Sequence, residues 1–195
     1  GTIVLEPDGY QLDSLEKLEF YPKAFQYLAK IVNELDFELV MVTNQDGLGT
    51  DSFPENTFWP TQNFIMKAFE NEGILFSDVI IDVSFLEQNL PTRKPGTALL
   101  QQFVKGNYDL KNSFVIGDRI TDIQLAENLG SQSIFISAKA NEKATLSTTY
   151  WQTIYQFLKE QPRVSEVIRT TKETEIAVQI NLDGSGKSSM KTGLG

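Results

Sequence analysis

The chain contains no histidine and no cysteine. Their absence excludes disulfides, thiolate zinc sites, Cys–His or Ser–His nucleophile pairs and imidazole acid–base chemistry. Any catalysis has to rest on carboxylates, hydroxyls, amides, Lys, Arg and a hard metal. Basic residues are also in the minority, with 17 Lys and Arg against 26 Asp and Glu, for a formal charge of −9. A phosphate backbone needs a basic face, so nucleic acid is not expected as a main partner. A small phosphorylated ligand is compatible with this balance, because it needs only one or two cations, helix N-termini and a metal. No apolar run is long enough to span a membrane and no signal peptide is visible, so the expectation is a cytoplasmic protein without a membrane partner. What remains is ordinary for a globular chain: 195 residues, 41% hydrophobic and 11% aromatic, enough for one domain and part of another.

The periodicity alternates between strand and helix. Phe25, Leu28, Ala29, Val32 and Leu35 recur at helical spacing after Pro22. Phe37 to Thr43 then reads as a buried strand that stops at the polar run Thr43-Asn44-Gln45-Asp46-Gly47. Glu55 to Asn71 predicts a helix that Pro60 kinks or delays. Ser77 to Val83 is a β-branched strand, Ser84 to Pro91 a loop, and Thr92-Arg93-Lys94-Pro95 leads into a helix over Ala98 to Val104. The apolar run Ser113 to Ile116 ends abruptly in Gly117-Asp118, and a helical stripe of Ile123, Leu125, Ala126 and Leu129 closes on Gly130. Gln132 to Ser137 and Tyr150 to Lys159 supply a further strand and helix. This order predicts a doubly wound, mostly parallel α/β sheet over residues 1–163. From Val167 to Leu182 polar and apolar residues alternate as in an antiparallel sheet, so residues 164–195 are expected to be a short β-rich fragment of a second domain. Residues 170–195 are expected to be poorly ordered or to pack opportunistically.

Three polar sites follow this order: Thr43-Asn44 after one strand, Lys94 at a loop-to-helix junction, and Asp118, with Asp122, after another. In open α/β sheets, ligands sit at the C-terminal edge of the strands. A hydroxyl beside backbone N–H groups can cradle a phosphoryl group, a lysine can neutralise its charge, and an aspartate can hold Mg²⁺. That is most of a phosphoryl-transfer site without its nucleophile. For Asp118 and Asp122 the competing reading is a turn acid and a helix N-cap.

The order Thr…Lys…Gly-Asp-x-x-x-Asp resembles the haloacid-dehalogenase phosphatases, whose first motif is Asp-x-Asp followed by Gly-Thr. Gly1-Thr2 matches the end of that motif, so the resemblance implies that its two aspartates would lie before residue 1, and the chain is expected to be truncated at both ends. VMVTNQDGLGTDSFP (Val40–Pro54), TRKP (Thr92–Pro95), VIGDRITDIQLAENLG (Val115–Gly130) and the tail from Arg169 are similar to a narrower family. It is the histidinol-phosphate phosphatase half of the bifunctional histidinol-phosphatase/imidazoleglycerol-phosphate dehydratases, with the opening strands of the dehydratase half. The resemblance implies a haloacid-dehalogenase-like fold and Mg²⁺-dependent hydrolysis of histidinol phosphate through an aspartyl-phosphate intermediate. It further implies that Thr43 and Asn44 bind the phosphate, Lys94 stabilises the phosphoaspartate, Asp118 ligates Mg²⁺ and Asp122 stands behind it. Glu6 and Gln45 would face the amino-imidazole end of the substrate. Arg93 is either a substrate contact or a surface charge, and Glu6 has the same bland alternative. Some relatives carry a Cys/His zinc loop before the lysine; Asp82–Pro95 has no such ligands, so zinc is not expected. The 195 residues taken alone are expected to be inactive, and an oligomer is compatible with the full-length parent.

Three other readings compete. One is a phosphatase of another small phosphate, such as a sugar bisphosphate; Gln45-Asp46-Gly47-Leu48-Gly49-Thr50 and the tail speak against it. Gly184-Ser185-Gly186-Lys187-Ser188-Ser189 suggests a nucleotide-binding module, but Asn181 stands where a P-loop needs Gly and no helix pattern follows. A non-catalytic phosphate-binding or phosphoacceptor domain would need an acidic cluster after an earlier strand, and neither Asp13 nor Asp36 follows one.

Overall fold

In the computed structural model, residues 1–161, 164–171, 175–181, 186, 187 and 189 are described. Strand and helix alternate through α1 (Ala24–Glu34), β1 (Val40–Asn44), α2 (Glu55–Asn71), β2 (Asp78–Asp82), α3 (Gln101–Lys105), β3 (Phe114–Gly117), α4 (Ile120–Leu129), β4 (Gln132–Ile136), β5 (Leu146–Thr148) and α5 (Trp151–Lys159). The chain divides into two units, Gly1–Leu158 and Lys159–Gly195.

All five strands of the first unit pair in parallel, as a βαβ order demands. They form two hydrogen-bonded groups instead of one continuous sheet: β1 with β2, and β3 with β4 and β5. Val40 lies opposite Asp78 and Asn44 opposite Asp82, so β1 and β2 end together. In the second group Gly117 lies opposite Phe135. No ladder joins β1 to β3; the carbonyl of Val42, which a neighbouring strand would otherwise satisfy, accepts from the Lys94 ammonium at 3.1 Å.

The sheet faces are covered by different helices, which gives the layering expected of a doubly wound fold. On one side, Ala24, Leu28 and Ile31 of α1, Ile65 and Phe69 of α2, Ile134 and Ile136 of β4 and Trp151, Ile154 and Leu158 of α5 form the largest core. On the other, Leu100 and Leu125 meet Ile80, with Val40, Val42 and Val115 against them. Period-two alternation explains the split: Phe114 and Ile116 of β3 join the first cluster and Val115 the second.

Local departures from the sequence reading have simple causes. Helix α2 begins at Glu55 and runs unbroken past Pro60. Pro60, the sixth residue of the helix, removes one intrahelical donor, and the helix is anchored there by buried Phe58 and Thr61. The expected helix over Ala98 to Val104 is a 3₁₀ turn at Ala98–Leu100 followed by the five residues of α3. The short strand β5 is three residues long and carries no readable period. Near the N-terminus, Leu5 donates to the Glu19 carbonyl and Tyr21 to that of Ile3, pairing residues 3–5 with 19–21.

The second unit contains an antiparallel pair, β6 (Val164–Thr170) and β7 (Glu175–Asn181), in register from Val164↔Asn181 to Thr170↔Glu175. Val167, Ile168, Ile176, Val178 and Ile180 are exposed on it. The alternation read from Val167 onward is therefore a ladder. Much of the expectation for the 170–195 tail, and most of the P-loop-like run from Gly184 to Ser189, lies outside the described residues.

Candidate active site

The C-terminal ends of β1 and β3 carry several of the sequence candidates, and contacts join Asn44, Lys94 and Asp122. Thr43 and Asn44 are the last residues of β1, and Asp118 directly follows Gly117, the last of β3. Lys94 arrives from the loop after β2. Its backbone N–H donates to Asn44 Oδ1 at 3.1 Å, which fixes the lysine beside the β1 terminus. Its ammonium then donates to the Val42 carbonyl at 3.1 Å and to Asp122 Oδ1 at 2.8 Å. Lys94 and Asp122 are only 17% and 7% exposed, so this is a largely desolvated ion pair.

Asp122 has two partners. While Oδ1 meets Lys94, Oδ2 accepts from the Arg119 backbone N–H at 3.0 Å, capping the first turn of α4. This carboxylate packs directly on Gly117: a Cβ there would lie 2.2 Å from the Asp122 Cγ. Glycine at the end of β3 is thus required by close approach, and Asp122 braces Lys94. Both its oxygens are engaged inside the protein.

Asp118 is more open, with 24% of its side chain exposed. Thr2 donates to its Oδ1 at 3.3 Å, and the Gly1 nitrogen lies 3.6 Å from the same oxygen. Burial, with the charges of Asp118 and Tyr150 as smaller causes, pushes the Tyr21 hydroxyl pKa upward. Thr43 Oγ1 accepts from Gln45 Nε2 at 2.9 Å, so Gln45 folds back on the phosphate-binding candidate. Among the described residues no group of three or more acidic side chains could enclose a metal ion. Asp118 nevertheless suits Mg²⁺, which retains waters and takes only one or two carboxylates beside ligand oxygens. With neither His nor Cys in the sequence, a zinc site would lack its imidazole and thiolate donors.

The remaining candidates are paired with residues the sequence reading did not single out. Glu6 forms an ion pair with Arg119, whose guanidinium also lies 5.8 Å from the centre of the Tyr10 ring. Burial alone would lower the Arg119 pKa, but Glu6, Asp118 and Asp122 outweigh it and raise it. Arg93 is largely buried: its fork grips Asp46 and the Ser84 carbonyl. Beneath it, buried Asp82 accepts from the Ser84 N–H at 3.1 Å and from its hydroxyl at 2.5 Å. Arg119 stood next to Asp118 in sequence, which was the one available hint. Nothing in the sequence signalled the Asp46 and Ser84 contacts.

This constellation coincides with the similarity to known proteins. A HAD-hydrolase-like family model matches residues 91–156, the stretch holding Lys94, Asp118 and Asp122. Over 205 aligned residues the chain is 52% identical to the histidine biosynthesis bifunctional protein HisB of Bacteroides fragilis, covering 100% of this chain and 55% of that protein. For HisB of Spirosoma linguale the identity is 47% over 213 residues, covering 100% and 56%. The chain therefore spans little more than half the length of the curated relatives it matches. The D,D-heptose 1,7-bisphosphate phosphatase of B. bronchiseptica, solved with magnesium and phosphate, superposes with a TM-score of 0.71 at 18% identity, over 83% of this chain and 94% of that one. A HAD-superfamily hydrolase of Ehrlichia chaffeensis gives a TM-score of 0.51 at 21% identity, over 77% and 64%. These two share the fold. With its parallel α/β order, its motif residues at the C-terminal strand ends and its similarity to HisB along the whole sequence, the chain has a haloacid-dehalogenase-like α/β fold and resembles the phosphatases of that superfamily.

Proposed function

We propose that these residues form the phosphatase portion of a bifunctional histidine-biosynthesis protein, hydrolysing histidinol phosphate to histidinol and phosphate with Mg²⁺. The similarity to HisB over the whole chain carries the substrate assignment. The meeting of Asn44, Lys94 and Asp122 at the ends of β1 and β3 supports the chemistry. In this reading Thr43 and Asn44 bind the phosphoryl oxygens, Lys94 offsets their charge, and Asp118 holds the metal, with Asp122 setting the lysine's direction. Bound Mg²⁺ would neutralise the phosphoryl oxygens and help orient them. Glu6 and Gln45 would face the cationic end of the substrate, Glu6 exchanging Arg119 for it.

The proposed reaction has two balanced steps. A carboxylate attacks phosphorus, the P–O bond to histidinol breaks and the leaving oxygen takes a proton; water then cleaves the aspartyl phosphate, releasing phosphate and the carboxylate. The Asp-x-Asp pair that would supply nucleophile and acid–base groups does not occur next to a Gly-Thr among these 195 residues. The 195-residue polypeptide alone is accordingly expected to release no phosphate, while the full-length protein does. Phosphate release from histidinol phosphate, sugar bisphosphates and a generic aryl phosphate, with and without Mg²⁺, tests the reading. A full-length protein that hydrolyses sugar bisphosphates in preference overturns the substrate assignment, and activity in the 195-residue chain overturns the mechanism.

A further inference from the structure

Arg93 directly precedes the candidate phosphate lysine, yet its side chain turns inward. Nη1 donates to Asp46 Oδ1 at 2.6 Å and to the Ser84 carbonyl at 2.8 Å, and Nη2 donates to Asp46 Oδ2 at 3.0 Å. Only 12% of the Arg93 side chain is exposed, against 43% for Asp46. Its Nε is buried and has no hydrogen-bond partner. A guanidinium committed in this way has little left to offer a substrate.

We propose that Asp46 and Arg93 form a positioning clasp that holds Lys94 in register with Thr43 and Asn44; the proposal rests on the phosphatase reading above. The site draws its two halves from separate segments: Thr43 and Asn44 end β1, whereas Lys94 comes from a loop. Directly between these segments, the backbone N–H of Lys94 meets Asn44 Oδ1. One neutral hydrogen bond of this kind is by itself a weak tie between the loop and the strand end. The bidentate, charge-assisted bond from Arg93 to Asp46 adds a second and stronger tie, one residue before Lys94 on one side and two after Asn44 on the other.

A third segment is drawn into the same knot. Gln45 N–H donates to the Asp82 carbonyl at 2.7 Å and Gly47 N–H to that of Val83 at 3.0 Å, so the turn after β1 continues the pairing with the end of β2. Arg93 reaches the next residue, Ser84, through its carbonyl, and Ser84 in turn is fixed by buried Asp82. The guanidinium thus spans the turn after β1, the end of β2 and the loop carrying Lys94. A lysine could neutralise Asp46 but could not fork across both oxygens and a carbonyl, which is why an arginine suits this position.

Residue-resolved hydrogen exchange and NMR on the intact chain test the clasp. The partly exposed Asp46 allows a nearly isosteric change, Asp46→Asn, that keeps the shape and removes the charge. The expected result is a fall on the order of tenfold or more in protection of the Lys94 amide, with the amides of β4 unchanged. The Lys94 ammonium resonance should shift in the same variant. Arg93→Lys, which keeps the charge and loses the fork, should behave likewise. An Asp46→Asn variant with unchanged Lys94 signals overturns the proposal, as does a loss shared equally by Lys94 and β4, which marks general destabilisation. Should Arg93→Lys prove too unstable to study, Asp46→Asn decides alone. The functional reading is tested separately: if Lys94→Ala leaves phosphate release by the full-length protein intact, the phosphatase assignment of Lys94 fails. If Lys94→Ala abolishes release while Asp46→Asn leaves Lys94 undisturbed, only the clasp fails.

Discussion

Lys94 and Asp122 meet at 2.8 Å, and the same carboxylate caps the first turn of the following helix through the Arg119 N–H. One buried acid thereby couples the loop that delivers the lysine to the helix that follows Asp118. Removing one member of such a pair leaves an uncompensated buried charge, at a cost of about 3–5 kcal/mol. Asp122→Ala should therefore destabilise the protein by about 3 kcal/mol or more in urea unfolding. Added salt should change this little, because both groups are largely shielded from solvent. A loss below about 0.5 kcal/mol, as for an ordinary surface substitution, would contradict the coupling.

Gly117 is the floor on which that acid rests. An alanine Cβ would stand 2.2 Å from both Cγ and Oδ2 of Asp122, well inside contact distance. Either the carboxylate rotates away from Lys94 or the strand end shifts. Overpacking of this kind costs typically about 1–3 kcal/mol. Gly117→Ala should lose at least that much in thermal or urea unfolding, and the Lys94 ammonium signal should move with it. An alanine variant with wild-type stability would show that the strand end yields freely.

The acid side of the stability profile should depend on Asp82. Burial alone would raise its pKa, but hydrogen bonds from the Ser84 and Thr92 hydroxyls and the Ser84 N–H, with the charge of Arg93, overcome burial and leave it lowered. A carboxylate whose folded pKa lies below its unfolded value stabilises the fold above the unfolded pKa, near ~3.9. That contribution is lost as pH falls through the folded pKa. Ser84→Ala removes one of the donors holding the carboxylate, so acid unfolding should begin at a higher pH than in the wild type. Circular dichroism across an acid titration reads this directly, and an unchanged midpoint would remove Asp82 from the account of acid stability.

Much of this arrangement was legible in the sequence, and what escaped it has physical reasons. Thr43, Asn44 and Asp118 could be singled out because each sits where an apolar run stops at a polar group, and Lys94 from its loop-to-helix junction; ligands of open α/β sheets sit at the C-terminal ends of the strands. Gly130 likewise announced the end of α4, where it adopts φ 70°. The pairings were not legible. Arg93 and Asp46 are 47 residues apart and Arg119 and Glu6 113, and no local period records which charges meet across such spans. For the same reason Arg93 read as a surface charge or a substrate contact, whereas it is nearly buried. Lys94's bond to the free carbonyl of Val42 belongs with these, since it depends on how the two strand groups sit and not on either strand's sequence.

Asp118 differs from Asp122 in being partly open, and this separates the roles proposed for them. Among the described residues the side-chain donor to it is Thr2, at 3.3 Å, a long contact that gives up little when replaced by a metal. A divalent ion should therefore bind weakly at Asp118, completed by water, and gain affinity when ligand phosphate supplies further oxygens. Mn²⁺, as a paramagnetic substitute, should broaden the amide signals of Thr2, Gly117 and Asp118 before those of α1. Inorganic phosphate should strengthen the effect. Asp118→Asn keeps the shape and the contact with Thr2 while removing the charge, so it should abolish the broadening with little change in melting temperature. In the full-length protein the same variant should lower phosphate release by about 10²-fold or more, the scale on which loss of transition-state charge stabilisation is felt. Broadening centred on the Glu38 and Asp78 side of the sheet, with Asp118 signals unaffected, would show that the metal binds elsewhere.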